Sequence, residues 1–115
     1  MRIGHIELFV KDPTKASNFY VEKLGFTLES DQGEFIWIKL DEIEILIRPG
    51  SSISRNSYEK TSIGLVLYTN DLKKSEKELK QKGIEFVGFD QSQSCLTFKD
   101  PDGHWWQLVN PNHNK

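Results

Sequence analysis

Apolar and polar residues alternate over Ile3–Val10, with Ile6, Leu8 and Val10 on one side and His5, Glu7 and Phe9 on the other. A period of two predicts a strand with one apolar and one mixed face. Asp12-Pro13 follows as a helix N-cap and first helical residue. Ala16, Phe19, Tyr20 and Leu24 then recur every three or four positions, an apolar helical stripe that Gly25 ends. Phe26–Ser30, Glu34–Leu40 and Ile43–Arg48 read as three further strands, separated by Gln32-Gly33 and Asp41-Glu42 turns and stopped by Pro49-Gly50. In the third strand Ile36, Ile38 and Leu40 oppose Phe35, Trp37 and Lys39. Ser51–Lys60 is Ser-rich and without period, so it reads as a linker or surface loop.

The pattern then begins again. Ser62–Thr69 is a strand, and Asn70-Asp71 opens a helix whose inner side is Leu72, Ser75, Glu76 and Leu79. Gly83 ends that helix, and Ile84–Gly88, Ser94–Lys99 and His104–Asn110 complete the set of strands. Asp12 falls on Asp71 at an offset of 59, Gly25 on Gly83 at 58 and Pro49 on Pro111 at 62. The chain is therefore an α+β protein of two tandem βαβββ units, 3–49 and 62–111, joined by the polar loop 50–61 within one domain. One helix for four strands leaves each sheet one covered and one open face.

Phe98–Pro111, FKDPDGHWWQLVNP, is the most distinctive stretch. Asp100-Pro101-Asp102-Gly103 is a strong turn tetrad between two strands. Trp105, Gln107 and Val109 share one face of the outgoing strand, and Trp106 and Leu108 share the other. Alternation places Trp37 and Trp105 on the open face and Trp106 under a helix.

Composition narrows the function. The 115-residue chain has a net charge of −2 and no basic run, which argues against a nucleic-acid surface. No apolar stretch reaches membrane-spanning length, and the N-terminal residues form a strand with no signal-peptide pattern. The one cysteine, Cys95, excludes an internal disulfide and fits a reducing cytoplasm. No Ser or Cys stands in a nucleophile motif.

Tandem βαβββ units, an opening IGHIELFVKDPTKASNFYVEKLGF and the close FKDPDGHWWQLVNP resemble the vicinal oxygen chelate superfamily. Glyoxalase I, extradiol dioxygenases, fosfomycin-resistance enzymes and bleomycin-resistance proteins belong to that group. The resemblance covers essentially the whole chain. It implies a cupped mixed sheet around a cleft, and a homodimer. It also implies that any divalent metal (zinc, nickel, iron or manganese) would be held on the open face by His and Glu from the first and last strands of each unit. Carried over by position, those places are His5, Ile45, Gly64 and Gln107. His5 and Gln107 alone could contribute, which falls short of the three strong ligands a catalytic site needs. A one-residue slip in the fourth strand would offer Glu44, but it would bring Arg48 into the cleft and turn Ile43, Ile45 and Ile47 outward.

As a surface, the open face is expected to carry His5, Glu7, Phe9, Phe35, Trp37, Ile45, Ile47, Val66, Tyr68, Cys95, Thr97, Trp105 and Gln107. An aromatic concavity with few polar groups suits a small molecule. Glu7 beside two tryptophans would favour a flat or cationic one. The ligand-binding set is His5, Glu7, Phe9, Phe35, Trp37, Ile45, Tyr68, Trp105 and Gln107. The reading is a metal-free binding protein of the bleomycin-resistance type, with no catalytic residue, no cofactor, and no nucleic-acid or membrane partner. The alternative is a metal-dependent glyoxalase-type lyase or dioxygenase-type enzyme.

Overall fold

The computed structural model describes residues 1–87 and 96–114, the last two by backbone alone. The expectations for Gly88 and Cys95 and for the His113 side chain lie outside the described residues. The chain divides into two compact units, Met1–Ser52 and Ile53–Lys115, so the loop expected to join them belongs with the second from Ile53 onward.

The first unit runs β1 (Ile6–Val10), α1 (Pro13–Leu24), β2 (Thr27–Asp31), β3 (Ile36–Leu40) and β4 (Ile43–Pro49). Its mixed sheet has the order β1-β4-β3-β2. β1 lies parallel to β4, and the other neighbours are antiparallel. The bounds of α1 are those its caps predict: Asp12 Oδ1 accepts from the Lys15 amide, and Gly25 at φ 80° takes the left-handed end. Ala16, Ser17 and Tyr20 are the buried residues of this helix. Leu8, Val10, Ile36, Ile38, Ile45 and Ile47 are buried on the covered face of the sheet.

The second unit opens with a single 3-10 turn, Tyr58–Lys60, followed by β5 (Leu65–Tyr68) and α2 (Leu72–Gln81). β6 (Leu96–Lys99), β7 (Trp105–Val109) and the short α3 (Pro111–Asn114) complete it. Its sheet has the order β5-β7-β6, again with the first strand parallel to the last. Asp71 caps α2 by accepting from the Lys74 amide. Leu72, Ser75, Glu76 and Leu79 are its less exposed side, as their spacing predicts, yet no residue of α2 is buried.

Several strands differ from expectation: β3 begins at Ile36 rather than Glu34, and β5 at Leu65 rather than Ser62. β1 begins at Ile6 rather than Ile3. Ile84–Val87 is not a regular strand, although the Val87 amide donates to the Thr97 carbonyl and Thr97 Oγ1 donates to the Val87 carbonyl. Too few ladder bonds form there to make a fourth strand of the second sheet among the described residues.

Candidate functional site

Register decides which side chains share a face. In the parallel β1–β4 ladder, Glu7 pairs with Leu46 and Phe9 with Arg48, while Ile6 pairs with Ile45 and Leu8 with Ile47. Across β3–β4, Trp37 pairs with Leu46 and Lys39 with Glu44. The open face of the first unit is therefore built in rows. Phe9, Arg48 and Phe35 form one row, Glu7, Leu46 and Trp37 the next, and Lys39 and Glu44 lie beyond, near His5.

This corrects the expected position of Ile45. Ile45 and Ile47 share the helix-covered face with Ile6 and Leu8, and Glu44, Leu46 and Arg48 share the open one. The offset between Pro49 and Pro111 is one residue too long as a guide, because Pro49 ends β4 whereas Pro111 starts α3. The ladders give the true correspondence: Glu7 opposes Leu46 as Val66 opposes Gln107.

The polar centre of this face is Glu7. Its Oε2 lies 2.8 Å from His5 Nε2, and its Oε1 accepts from Arg48 Nη1 at 3.0 Å. The hydrogen bond from His5, then that from Arg48, holds the Glu7 carboxyl below the usual carboxylate range. His5 also meets Trp37 edge-on, with ring centroids 4.6 Å apart. Leu46, between Glu7 and Trp37 in the ladder, is buried. Arg48 Cζ lies 5.2 Å from the centre of the Phe9 ring and 5.0 Å from that of Phe35. Phe9 and Phe35 are 42% and 37% exposed, so neither residue is sealed off by the arginine between them. Gly50 makes room for Phe9, since a Cβ there would lie 2.8 Å from the Phe9 ring. His5, Glu7, Phe9, Phe35 and Trp37 are thus brought together as expected, and Arg48 is the residue that sequence reasoning left out. Its signal in the sequence is the alternation with Glu44, which puts the two on one face of the fourth strand.

The second unit treats its corresponding face differently. Val66 and Tyr68 are exposed there, at 44% and 64%. Thr97, Trp105 and Gln107 share that face but are buried. The segment before β5 covers part of it. Trp105 Nε1 donates to the Arg55 carbonyl at 2.9 Å, and Ser54 packs against Gly103. Lys99 Nζ lies 5.4 Å from the Trp105 ring centre. Tyr58 occupies the space where a side chain at position 64 would project. Trp106 takes the opposite face, stacked with Phe98 at 6.3 Å, as alternation predicts. His104, which precedes β7, is tied into the turn: its Nδ1 lies 2.6 Å from Asp100 Oδ2, and Asp100 Oδ1 accepts the amides of Asp102 and His104.

The four metal positions implied by the resemblance become, with the corrected register, His5, Leu46, Gly64 and Gln107. A Leu and a Gly cannot ligate, and the Tyr58 phenol fills the place of a ligand at position 64. Among the described residues no three His, Cys, Asp or Glu side chains are disposed to hold an ion. His5 and Glu7 are each other's partners. The residues present do not fit the superfamily's metal site. Among the described residues no helix is long and apolar enough to cross a membrane.

Comparison with known proteins agrees with this architecture. Residues 2–108 match the family model for the Glyoxalase/Bleomycin resistance protein/Dioxygenase superfamily. The chain is 33% identical to the uncharacterized protein YurT of Bacillus subtilis, with 95% of this chain and 98% of that one covered. It is 26% identical to TnmS3, an antibiotic-binding protein from a Streptomyces species, with a TM-score of 0.69 over 96% of this chain and 98% of that one. FosX, a fosfomycin resistance protein of Listeria monocytogenes solved with Mn(II), shares the fold at 21% identity, a TM-score of 0.73 and 94% and 88% coverage. With two βαβ-type units of one topology and a family match across nearly its whole length, the chain belongs to the glyoxalase/bleomycin resistance protein/dioxygenase superfamily.

Proposed function

We propose that this protein binds a small aromatic or apolar molecule on the open face of its first unit, without a metal and without transforming the ligand. One observation carries the reading. Phe9 and Phe35 present exposed rings, and Trp37 a half-buried one, around a polar cluster, His5–Glu7–Arg48, whose members bind one another. Aromatic surface with a few fixed polar groups is what small-molecule sites offer. The likeness to an antibiotic-binding protein supports binding over catalysis. A cation would find Glu7 already engaged through both oxygens, so the charge preference expected from Glu7 alone is not retained.

The test is titration of the purified chain with planar aromatic probes such as 1-naphthol, followed by tryptophan fluorescence with and without EDTA. Binding should persist in EDTA and weaken on Trp37→Ala. Stoichiometric divalent metal that disappears on His5→Ala, or binding abolished by the chelator, would overturn the proposal in favour of a glyoxalase-type enzyme. A homodimer belongs to the same proposal, because β1 and β2 are unpaired edges of the first sheet. Sedimentation showing only monomer at micromolar concentration would remove it.

A further inference from the structure

We infer that the ligand of this face is an aromatic acid, whose carboxylate or other oxyanion is received by Arg48. The inference rests on the proposed binding reading and names the chemical class of its ligand.

Arg48 is the cation that sits between the two exposed rings of this face and keeps donors to spare. A guanidinium has five N–H donors and no acceptor. Here Nη1 is spent on Glu7 Oε1, which is the single hydrogen bond Arg48 makes among the described residues. Nε is buried and has no acceptor at all. Burial closes Nε to a ligand, so on this side chain, 35% exposed, the donors left for something else are those of Nη2. A carboxylate or phosphonate oxygen is the acceptor that a guanidinium N–H binds most strongly.

The flanking groups define the rest of the ligand. Phe9 and Phe35 stand on either side of the guanidinium, both partly open to solvent. A planar body can lie on these rings while its acid group reaches Arg48. The arrangement also keeps the arginine fixed, since two rings and Glu7 hold it before any ligand arrives, and little ordering is left for binding to impose.

The other charges do not supply a rival anchor of equal quality. Glu7 is committed on both oxygens. Glu44 and Lys39 face each other across the β3–β4 ladder, at the far end of the face from Arg48.

The experiment is calorimetric titration of the full chain with three probes of one shape: 2-naphthoate, 2-naphthamide and 2-naphthylmethylamine. 2-Naphthoate should bind about tenfold tighter than the other two, the size of one charge-assisted hydrogen bond. Arg48→Gln should erase the preference while leaving aromatic binding in place. Should Arg48→Gln fail to fold, Glu7→Gln serves instead, and it should increase the preference for the acid by removing the competing carboxylate. Equal binding of all three probes, or tighter binding of the amine, would overturn the acid while leaving the aromatic-binding proposal standing. A preference for 2-naphthoate that survives Arg48→Gln would also overturn it. Absence of binding by all three would overturn both.

Discussion

The two units share one backbone plan and differ in what they place on it. In each, the first strand lies parallel to the last, which is paired in turn with the strand before it. His5, just before β1, and Glu7 and Phe9 within it correspond to Gly64, just before β5, and Val66 and Tyr68 within it, so a charged, hydrogen-bonded row is matched by an uncharged one. The strand opposite differs as sharply, with Leu46 and Arg48 in one unit and Gln107 and Val109 in the other. Residues 54–58 lie over part of the second face, whereas Phe9 and Phe35 of the first remain partly exposed. The helices diverge too: α1 buries Ala16, Ser17 and Tyr20, and α2 buries nothing. A repeat therefore duplicates a scaffold, and the chemistry has to be read from the side chains each copy carries.

The largest effect should come from β7. Trp106→Ala removes a ring stacked with Phe98 and should cost about 3–5 kcal/mol by denaturant unfolding. Trp105→Ala should cost a similar amount, not less, because Trp105 is 2% exposed and its indole N–H is bonded to Arg55. A loss below about 1 kcal/mol at Trp105 would mean that the 54–58 segment does not hold this face. Trp105→Phe should lose only the hydrogen bond and some packing, on the order of 1 kcal/mol more than a neutral change.

An intermediate effect should separate the two equivalent positions just before the first strands. Gly64→Ala drives a methyl into Tyr58 and should destabilise the protein by about 1–3 kcal/mol. His5→Ala, at a half-exposed site, should cost less than about 1 kcal/mol. Equal costs in unfolding experiments would erase the difference drawn between the faces.

The smallest effect concerns pH. Because His5 and Arg48 lower the Glu7 carboxyl below its ordinary value of 4.5, the folded state holds its proton less tightly than the unfolded state does. The resulting stabilisation is present above the unfolded value and is lost as pH falls through the depressed folded one. Glu7→Gln should flatten that part of the acid limb when melting temperature is followed downward from about pH 5. An unchanged acid limb would show that the cluster is not formed in solution. Val66, its counterpart in β5, has no titrating group and offers a neutral control through Val66→Ala.

Much of this structure is legible in local chemistry. Asp12, Pro13 and Gly25 bound α1, and Asp71 caps α2, because capping needs only residues within one turn. The turn at Asp100–Gly103 forms as its sequence requires, with Gly103 at φ 88°. Alternation likewise assigns His5, Glu7, Phe9, Phe35 and Trp37 to one face, since a strand fixes its own period. What alternation cannot fix is the phase of one strand against another. In β4, Ile45 and Leu46 are both apolar, and only pairing with β1 sends Ile45 to the helix and leaves Leu46 with Arg48 on the open side. The covering of Trp105 was equally out of reach. Residues 54–58 have no period to read, and the Arg55 carbonyl is a backbone group that any residue would supply. The sequence determined elements, caps, repeat and the faces within each strand, because those rest on neighbours along the chain. Tertiary structure alone decided the register of β4, the exposure of Arg48 and the burial of Trp105, because those rest on contacts between segments distant in sequence.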